Sequence, residues 1–349
     1  MRIFPFALVA IFSACASRNA GTPVAKPLVI GHRGAAGHLP EHTLESYTLA
    51  IQMGADFIEP DLVPTKDGVL IARHENDISD TTDVAQKFPK RKTKKKIEGK
   101  EIEGWFTEDF TLKEIKSLRA RERIPQRSHA HDGQFLIPTF EEVVALAQAK
   151  SKETGRVIGI YPETKHPSHF RSLGLPLEES LLRILDKNGY TERDSPAFIR
   201  SFEVGNLKEL RKKTKLRLVQ LVDEPTARPY DFVLSGDKRT WADLMKPEEL
   251  KKIREYADGI GPWKRLIVPE GKLKNLEPPT TLVADAHAAG LLVHPYTFRS
   301  DPPLVAPVYG AKAENEYLQF FRLGVDGVFS DFPDDAVKAR ELFLKEKSN

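Results

Sequence analysis

The segments PLVIGH at Pro27–His32 and DFIEPDL at Asp56–Leu62 are short β-rich runs, and a longer stretch of helical period lies between them. The same alternation recurs along the rest of the chain. It is typical of a parallel α/β fold, in which each helix carries the chain back to the start of the next strand. The predicted strands are Pro27–His32, Asp56–Leu62, Val69–Arg73, Val157–Tyr161, Ala197–Phe202, Leu216–Val222, Asp258–Gly261, Leu291–Tyr296 and Val325–Ser330.

The predicted helices repeat apolar residues at three-to-four spacing, and several begin with a Thr, Asp or Pro suited to a helix start. Examples are Thr139–Ala149, Leu177–Lys187 and Lys246–Tyr256. The chain has 349 residues, 40% of them apolar and 30% charged, which is enough to bury one core of barrel size. The nine predicted strands exceed the eight places of a barrel by one, and any of them could lie outside it.

The interval Glu75–Gln134 interrupts the alternation, because it is polar, basic and aromatic in patches and has one helical piece at Leu112–Leu118. An unstructured loop of this length is rare inside a compact barrel. The interval is therefore predicted to be an insertion with structure of its own.

A basic run lies inside this insertion, at Lys87–Lys100 (KFPKRKTKKKIEGK). It carries a formal charge of +7 in a chain whose net charge is +3, so the rest of the chain is acidic. A solvated loop is the favoured interpretation, and attraction to an anionic membrane or cell surface is the alternative. The run lacks interleaved aromatic residues that could stack on bases, so nucleic acid is not expected as a partner.

The N-terminus has the pattern of a secretory signal over residues 1–16: Arg2 precedes an apolar run, Ile3–Phe12, that is too short to span a bilayer. Cys15, the only cysteine, lies where a bacterial lipoprotein signal would be cut, although Ala14-Cys15-Ala16 also suits an ordinary signal peptidase. We expect an exported protein, either periplasmic or anchored to the cell envelope through a lipid on Cys15. A short linker is predicted at 17–26, and no internal disulfide can form.

Polar residues that could carry chemistry fall at the ends of the first four predicted strands. The active site of a (β/α)8 barrel is built from the carboxyl ends of different strands, so these groups are expected to converge on one rim. They are His32-Arg33, Glu59 and Asp61, His74-Glu75, and Glu163-Thr164-Lys165.

Glu59 and Asp61 are two residues apart on one predicted strand and therefore point to the same side. Adjacent carboxylates are costly unless a cation or a proton lies between them. Either residue alone is better explained by a salt bridge at a strand end, but Glu163 would add a third oxygen ligand. An all-carboxylate set suits a hard ion, Ca²⁺ or Mg²⁺, rather than zinc.

His32 and His74 are predicted at similar heights on non-adjacent strands, where one imidazole could take a proton from an attacking oxygen and the other could give one to a leaving alkoxide. Arg33 and Lys165 could bind phosphate oxygens. His38 and His42 suit loop support as well as ligand contact. The other histidines considered are interpreted as ordinary exposed residues: His129, His131, His166, His169 and His287.

Five motifs resemble the glycerophosphodiester phosphodiesterases, especially their periplasmic branch. They span the chain in order from residue 31 to residue 334. The motifs are GHRGAAGHLPEHT at Gly31–Thr43, IEPDLVPTKDG at Ile58–Gly68, GIYPETK at Gly159–Lys165, VHPYTFRSD at Val293–Asp301 and GVFSDFPD at Gly327–Asp334.

The resemblance implies a (β/α)8 TIM-type barrel, here at 27–340, with a small insertion after the third strand at about 75–134 and a C-terminal tail at 341–349. It implies a Ca²⁺-type ion, or Mg²⁺, and an acid/base pair of histidines. It also implies phosphate contacts and a residue at the metal or glycerol end of the pocket. The residues that match the metal ligands are Glu59, Asp61 and Glu163, and those that match the acid/base pair are His32 and His74. Arg33 and Lys165 match the phosphate contacts, and Glu41 matches the residue at the metal or glycerol end.

Three positions depart from the family pattern. Many members have Asp where this chain has Glu75, an Asp-Arg pair where it has Ser79-Asp80, and Trp near His294-Pro295-Tyr296. These changes put the local loop structure and the alcohol side of the pocket in question, not the reaction class.

The expected reaction is metal-dependent hydrolysis of glycerophosphodiesters, such as glycerophosphocholine and glycerophosphoethanolamine, to sn-glycerol 3-phosphate and an alcohol. Attack by water and attack by a glycerol hydroxyl through a cyclic phosphate are both open. One alternative is a phospholipase D-like enzyme cutting lysophospholipids or sphingomyelin, with an apolar mouth formed by Trp263, Tyr296 and Phe298. Another is a surface-exposed lipoprotein that binds an envelope or host component.

Overall fold

The computed structural model describes residues 26–272, 275–310 and 312–348. The predicted signal segment, Cys15 and the predicted linker up to residue 25 lie outside the described residues. Within the described ranges, no helix is both long enough and apolar enough to cross a membrane.

Eight parallel strand positions form a (β/α)8 TIM-type barrel. Two of the positions are each made of two short strands, because Pro60 and Pro162 have no backbone N–H to give to the ladder. The barrel strands are β1 (Leu28–His32), β2 with β3 (Phe57–Glu59, Asp61–Pro64), β7 with β8 (Gly159–Ile160, Glu163–Thr164), β9 (Phe198–Ser201), β10 (Arg217–Val222), β11 (Gly259–Pro262), β12 (Leu292–Val293) and β13 (Gly327–Ser330).

Hydrogen bonds connect neighbouring strands around the ring. Pairing runs in the orders β13-β1-β2-β7 and β12-β11-β10-β9-β8-β3. The ring closes beyond the end of β12, where the Phe298 amide donates to Phe329 at 2.8 Å and the Asp331 amide donates to Phe298 at 3.0 Å. The predicted barrel is confirmed.

The strand that lies outside the barrel is the third predicted one, Val69–Arg73. It forms β4 (Leu70–Ala72), which pairs antiparallel to β3 with Leu62 opposite Ala72. A tight turn joins β3 to β4, with Gly68 at φ 75°. Parallel neighbours need a long crossover, so this short connection forces the antiparallel arrangement. The insertion therefore follows a hairpin and precedes the third barrel strand.

The barrel helices pack their apolar faces on the outside of the strands. The longest of those between strands, α4 (Phe140–Thr154), begins with a capping box between Thr139 and Glu142 and ends at Gly155, whose φ is 65°. Helices outside the insertion are α1 (Leu44–Gln52), α4 (Phe140–Thr154), α5 (Pro167–Ser172), α6 (Glu178–Lys187), α7 (Val204–Arg211), α8 (Tyr230–Ser235), α9 (Trp241–Leu244), α10 (Pro247–Ile253), α11 (Leu282–Ala288), α12 (Glu314–Arg322) and α13 (Pro333–Ser348).

The predicted C-terminal tail is not a separate segment, because α13 continues through Ser348. Phe343 on this helix is buried and packs against Phe321 of α12, with ring centroids 5.8 Å apart. The last helical turns are therefore part of the outer layer of the barrel.

The insertion has its own structure, as predicted: α2 (Val84–Lys87), a hairpin of β5 (Thr93–Ile97) and β6 (Lys100–Gly104), and α3 (Leu112–Ile115). The basic run is a hairpin for much of its length and not the predicted loop, although most of its side chains are exposed to solvent as predicted. Much of it forms the hairpin, where Lys95 pairs with Glu108 at 3.0 Å. Arg91 lies 4.0 Å from the Phe110 ring centroid. Part of the basic charge is thus paired with neighbouring acidic and aromatic side chains.

Candidate active site

The candidate site lies directly above an apolar plug in the centre of the barrel. Side chains two positions apart on a strand point the same way, so the residue two places after each plug residue lies one layer nearer the carboxyl rim. The plug residues Ile30, Phe57, Tyr161, Phe198 and Phe329 are fully or almost fully buried. The residues that follow them by two positions are His32, Glu59, Glu163, Arg200 and Asp331.

Three buried carboxylates lie together at this level. One oxygen from each of Glu59, Asp61 and Glu163 lies within 4.8 Å of the others. Arg200, on β9, bridges them, since its Nη2 atom is 2.6 Å from Glu59 and 3.0 Å from Glu163. The cluster is thus a buried acidic site with one guanidinium at its centre.

The chemistry of this cluster fits a divalent cation. Burial raises the pKa of Glu59 well above its usual value, and the neighbouring Asp61 adds to this, although Arg200 opposes it. Three carboxylates facing one another favour nearby positive charge. Arg200 contacts Glu59 and Glu163, and Lys165 contacts Glu163 at 3.1 Å, so a cation would join positive side chains already present. Hard oxygen donors are the ligands that Ca²⁺ and Mg²⁺ prefer. Glu59, Asp61 and Glu163 therefore form a site that could bind such an ion.

His32 is held by a buried network at the end of β1. Its Nδ1 atom is 2.5 Å from Asp331, which follows β13. The other Asp331 oxygen accepts from Arg127 at 2.6 Å and from Arg299 at 3.0 Å. Arg127 comes from the insertion and also pairs with Asp301 at 2.8 Å. Because Nδ1 is bonded to Asp331, Nε2 is the ring nitrogen left for chemistry in the cavity.

His74 reaches the rim by a different route from the one predicted. It follows β4, which runs antiparallel to the barrel strands, so its place comes from the return of a hairpin and not from the end of a barrel strand. Its Nδ1 atom is 2.9 Å from Glu75, and Lys165 lies 3.4 Å from its Nε2 atom. The structure thus brings His74 and Lys165 together, and Lys165 also lies 3.1 Å from Glu163.

Both imidazoles are held in the neutral form in the absence of an anion. Burial and the nearby Arg33 lower the pKa of His32 to about 3. Partial burial, together with Arg33 and Lys165, lowers the pKa of His74 below its usual value. An anionic ligand between Arg33 and Lys165 would offset these positive neighbours and raise both pKa values.

Arg33 lies at the cavity wall, but Glu41 lies behind it. The Glu41 carboxylate accepts from Arg33 at 3.0 Å and from Arg123 at 3.0 Å, and it is buried. Its predicted place at the metal or glycerol end is therefore not what the structure shows. Arg33 has a φ of 57°, an uncommon value for a residue with a side chain, and Gly34 beside it packs against Ser46 too closely to admit a Cβ. Glu41 thus positions Arg33 from outside the cavity.

His42, whose role was left open, supports the acidic cluster. It is fully buried, its Nε2 atom lies 2.9 Å from Asp61, and the Tyr47 hydroxyl lies 2.7 Å from its Nδ1 atom. Burial would raise the pKa of Asp61, but the hydrogen bond from His42 helps hold it well below its usual value. His38, by contrast, is partly exposed and pairs with Asp334 at 3.2 Å.

The cavity above these groups has two lobes that share one wall. The arginine lobe, of about 500 Å³, is lined by Arg33, Arg200, Arg265 and Arg299 among others. The acidic lobe, of about 480 Å³, is lined by Glu75, Glu98, Glu203 and Asp223 among others. Residues lining both lobes form the shared wall: His74, Glu163, Phe202, Asp223 and Tyr296. His32 lines only the arginine lobe and Lys165 only the acidic lobe.

Comparison with known proteins identifies the family. The sequence model of the glycerophosphoryl diester phosphodiesterase family matches residues 32–335. The chain belongs to this family. It is 38% identical over 333 residues to a glycerophosphodiester phosphodiesterase of Arabidopsis thaliana, with 91% of this chain and 87% of that protein covered. It is 34% identical over 342 residues to the glycerophosphodiester phosphodiesterase of Haemophilus influenzae, with 91% and 90% covered.

Solved structures share the fold of this family member. The structure of an Oleispira antarctica phosphodiesterase in complex with the product sn-glycerol-3-phosphate matches with a TM-score of 0.59 and 21% sequence identity. The match covers 90% of this chain and 97% of that one. At this identity the likeness supports the barrel alone.

Three residues of the candidate site were not predicted from the sequence, although each has some sequence feature that points to it. Asp331 follows the last predicted strand, so the strand-end rule that identified His32 would also have identified Asp331. Arg200 is a charge inside a predicted buried strand, a place where charges are rare unless they are paired. Arg127 had only a weak signal, because the insertion has no periodicity that would aim it at the barrel.

His166 was interpreted as an exposed histidine, and this was wrong. Only 10% of its side chain is exposed, and it lies 2.8 Å from Glu75 and 2.7 Å from Glu98. Burial would lower its pKa, but the two carboxylates outweigh burial and raise the pKa to about 9. Glu98 is in the turn of the β5–β6 hairpin, so His166 ties this hairpin to the mouth of the site.

The aromatic residues suggested for an apolar mouth do not act together. Phe298 is fully buried and stacks on Tyr317, with centroids 5.0 Å apart. Trp263 and Tyr296 do line the cavity. His294 lies in the barrel core, 2.9 Å from the Tyr161 hydroxyl, below the cavity floor. The suggested apolar mouth is therefore not formed by these three aromatic residues together.

Proposed function

We propose that this protein hydrolyses glycerophosphodiesters to sn-glycerol 3-phosphate and an alcohol. The observation that carries the proposal is the meeting of two imidazoles, two cationic side chains and three carboxylates in one cavity, in a member of this family. The product named for the Oleispira antarctica structure, sn-glycerol-3-phosphate, supports the same reaction class.

Arg33 and Lys165 bind the phosphate from opposite lobes. Arg33 lines the arginine lobe and Lys165 the acidic lobe, so the phosphorus atom lies at the shared wall beside His74 and Glu163. Burial alone would lower the pKa of Lys165, but Glu163 and Glu75 raise it above its usual value, so this side chain stays charged. Fixed positive charges at this point stabilise the charge that develops on the phosphoryl oxygens.

The two histidines transfer the protons. His32 takes a proton at Nε2 from the attacking oxygen, which forms the new P–O bond, and Asp331 stabilises the imidazolium that results. His74 becomes protonated when the phosphate raises its pKa. It gives this proton to the alcohol oxygen as the P–O bond to the alcohol breaks. His74 suits this role because it lines both lobes.

We further propose Ca²⁺ as the ion at Glu59, Asp61 and Glu163, with Mg²⁺ as the alternative. When bound, such an ion neutralises the phosphate and orders the glycerol hydroxyls. The all-carboxylate donor set supports this choice, because it has no sulfur or imidazole ligand that would favour zinc.

A coupled assay for sn-glycerol 3-phosphate tests the proposal. Purified protein is given glycerophosphocholine before chelation, after chelation, and after Ca²⁺ is added back. We expect activity to be lost on chelation and restored by Ca²⁺. His74→Ala should be inactive in all three conditions, whereas His287→Ala, whose side chain pairs with Asp326 and lines neither lobe, should behave as the wild type. Activity that survives both chelation and His74→Ala would overturn the proposed mechanism.

We also propose export, with lipid attachment at Cys15. The N-terminal pattern supports this part and the site geometry has no bearing on it. Labelling cells with a radioactive fatty acid should mark the wild-type protein and leave Cys15→Ser unmarked. Equal labelling of both would exclude the lipid anchor, and retention of the protein in the cytosolic fraction would exclude export.

A further inference from the structure

The two lobes of the cavity differ in charge, and this bears on the alcohol half of the substrate. Four guanidinium groups line the arginine lobe, whereas five carboxylates line the acidic lobe, two of them on the shared wall. The phosphate lies between the lobes if the proposed function holds, so the two ester arms enter different lobes. The arm in the acidic lobe meets Glu75, Glu98 and Glu203, which do not line the other lobe.

Two carboxylates of the acidic lobe have no positive partner within the described residues. Glu75 and Glu98 share the His166 imidazole. Glu203 is 3% exposed, and among the described residues its carboxylate accepts hydrogen bonds only from the backbone amide and the hydroxyl of Ser168. Asp223 is exposed at the shared wall, and no Lys, Arg or His nitrogen of the described chain forms an ion pair with it.

The positive side chains of the acidic lobe are engaged or peripheral. Lys165 is bonded to Glu163, and Arg228 donates to the Asp237 carbonyl at 3.0 Å. Lys100 lies on the exposed hairpin. Burial raises the pKa of Glu203 to about 7, a further sign that no cation compensates it.

Aromatic side chains form the apolar part of the same lobe. Phe202, Trp241 and Tyr296 meet edge to face, with the Phe202 ring centroid 6.2 Å from that of Trp241 and 6.1 Å from that of Tyr296. Tyr230 completes this wall. The Lys165 ammonium already lies 5.7 Å from the Phe202 centroid, so a cation is accommodated beside these rings.

We infer that the acidic lobe binds the alcohol of the substrate and selects alcohols that carry an ammonium group, such as choline and ethanolamine. Carboxylates combined with aromatic faces are the surroundings in which proteins bind ammonium groups. A neutral alcohol such as glycerol would leave Asp223 without a counter-charge and would not favour the charged form of Glu203. This inference rests on the proposed function, because it assigns the second ester arm of the same reaction.

The test compares two substrates that match in shape and differ in charge. They are glycerophosphocholine and the glycerophosphodiester of 3,3-dimethylbutanol, in which a carbon replaces the choline nitrogen. For the wild type we expect kcat/KM to favour the choline ester by about tenfold or more. Glu203→Gln and Asp223→Asn should each reduce this ratio by about threefold to tenfold. Glu153→Gln, an exposed carboxylate on α4, serves as the control and should keep the wild-type ratio.

The outcomes separate the inference from the proposed function. If both esters are hydrolysed at equal rates by the wild type, the ammonium selectivity is wrong and the proposed function stands. If neither ester is hydrolysed, both are wrong. Asp223→Asn guards against a folding defect in Glu203→Gln, because Asp223 is exposed. A ratio unchanged in Asp223→Asn and in folded Glu203→Gln would exclude these two residues as its source.

Discussion

His32 and His74 carry the same imidazole, but the protein supports them in opposite ways. The His32 and Asp331 side chains are 5% and 3% exposed, and two arginines from different parts of the chain hold Asp331. The His74 and Glu75 side chains are 31% and 44% exposed. One ring is fixed by a buried network, whereas the other is held by a solvent-facing partner. This difference suits a base that must meet one oxygen and an acid that must follow a departing alcohol.

Removing either imidazole should have the largest effect. We expect His32→Ala and His74→Ala each to reduce kcat by about 10²–10⁴-fold, the usual contribution of a positioned acid or base. Steady-state hydrolysis of glycerophosphocholine measures the loss, and His129→Ala, a surface histidine, is the control. If either variant kept more than about a tenth of the wild-type kcat, that histidine would not be a proton-transfer group.

Removing the charge of the carboxylate beside each histidine should reduce kcat by different amounts for His32 and for His74. Asp331→Asn should reduce kcat by about 100-fold or more, because the imidazole loses both its orientation and its counter-charge. Glu75→Gln should cost less than about tenfold, because a solvent-facing pair contributes little. Equal losses in kcat for the two variants would contradict the asymmetry described above.

The network around His32 should also stabilise the fold. Arg127→Gln leaves Asp301 and Asp331 buried with less positive charge, and we expect the free energy of unfolding to fall by about 3–5 kcal/mol. Arg123→Gln removes a guanidinium that is 34% exposed and should cost less than about 1 kcal/mol. Urea denaturation followed by circular dichroism measures both. A smaller loss for Arg127→Gln than for Arg123→Gln would show that the insertion does not anchor the barrel through Arg127.

The smallest effect concerns pH and the hairpin that contacts His166. The pKa of His166 is raised from 6.5 to about 9, so the stabilisation from its ion pairs is complete below pH 6.5 and is lost as the pH rises through about 9. We expect a loss of about 1–3 kcal/mol in the free energy of unfolding over this range that is absent in His166→Gln. A matching pH dependence in the variant would assign the effect to other groups.

The fold followed from the sequence because strand and helix periods alternate so regularly. The place of β4 did not follow, since period two is the same in parallel and antiparallel strands and only the short turn at Gly68 distinguishes them. His74 was correctly predicted to lie at the rim, but on the assumption that it follows a barrel strand. Geometry that depends on a turn therefore has to be read from the structure.

The site was predictable where it obeyed the strand-end rule and was not where it depended on long-range pairing. His32, Glu59, Asp61, Glu163 and Lys165 lie together as expected. The contact between Arg127 and Asp331 joins residues 204 positions apart and leaves no local pattern. Glu41 was misplaced for a similar reason, because its two arginine partners and not its distance along the chain decide where it points.

The most direct test of the account is to follow glycerophosphocholine by ³¹P NMR in the presence of Ca²⁺ and wild-type protein. We expect the diester signal to be replaced by that of sn-glycerol 3-phosphate, because His74 protonates the alcohol as its P–O bond breaks. His32→Ala should leave the diester signal unchanged over the same time. Appearance of phosphocholine would mean that the opposite ester bond is cut, and it would contradict the assignment of the two lobes and of the two histidines.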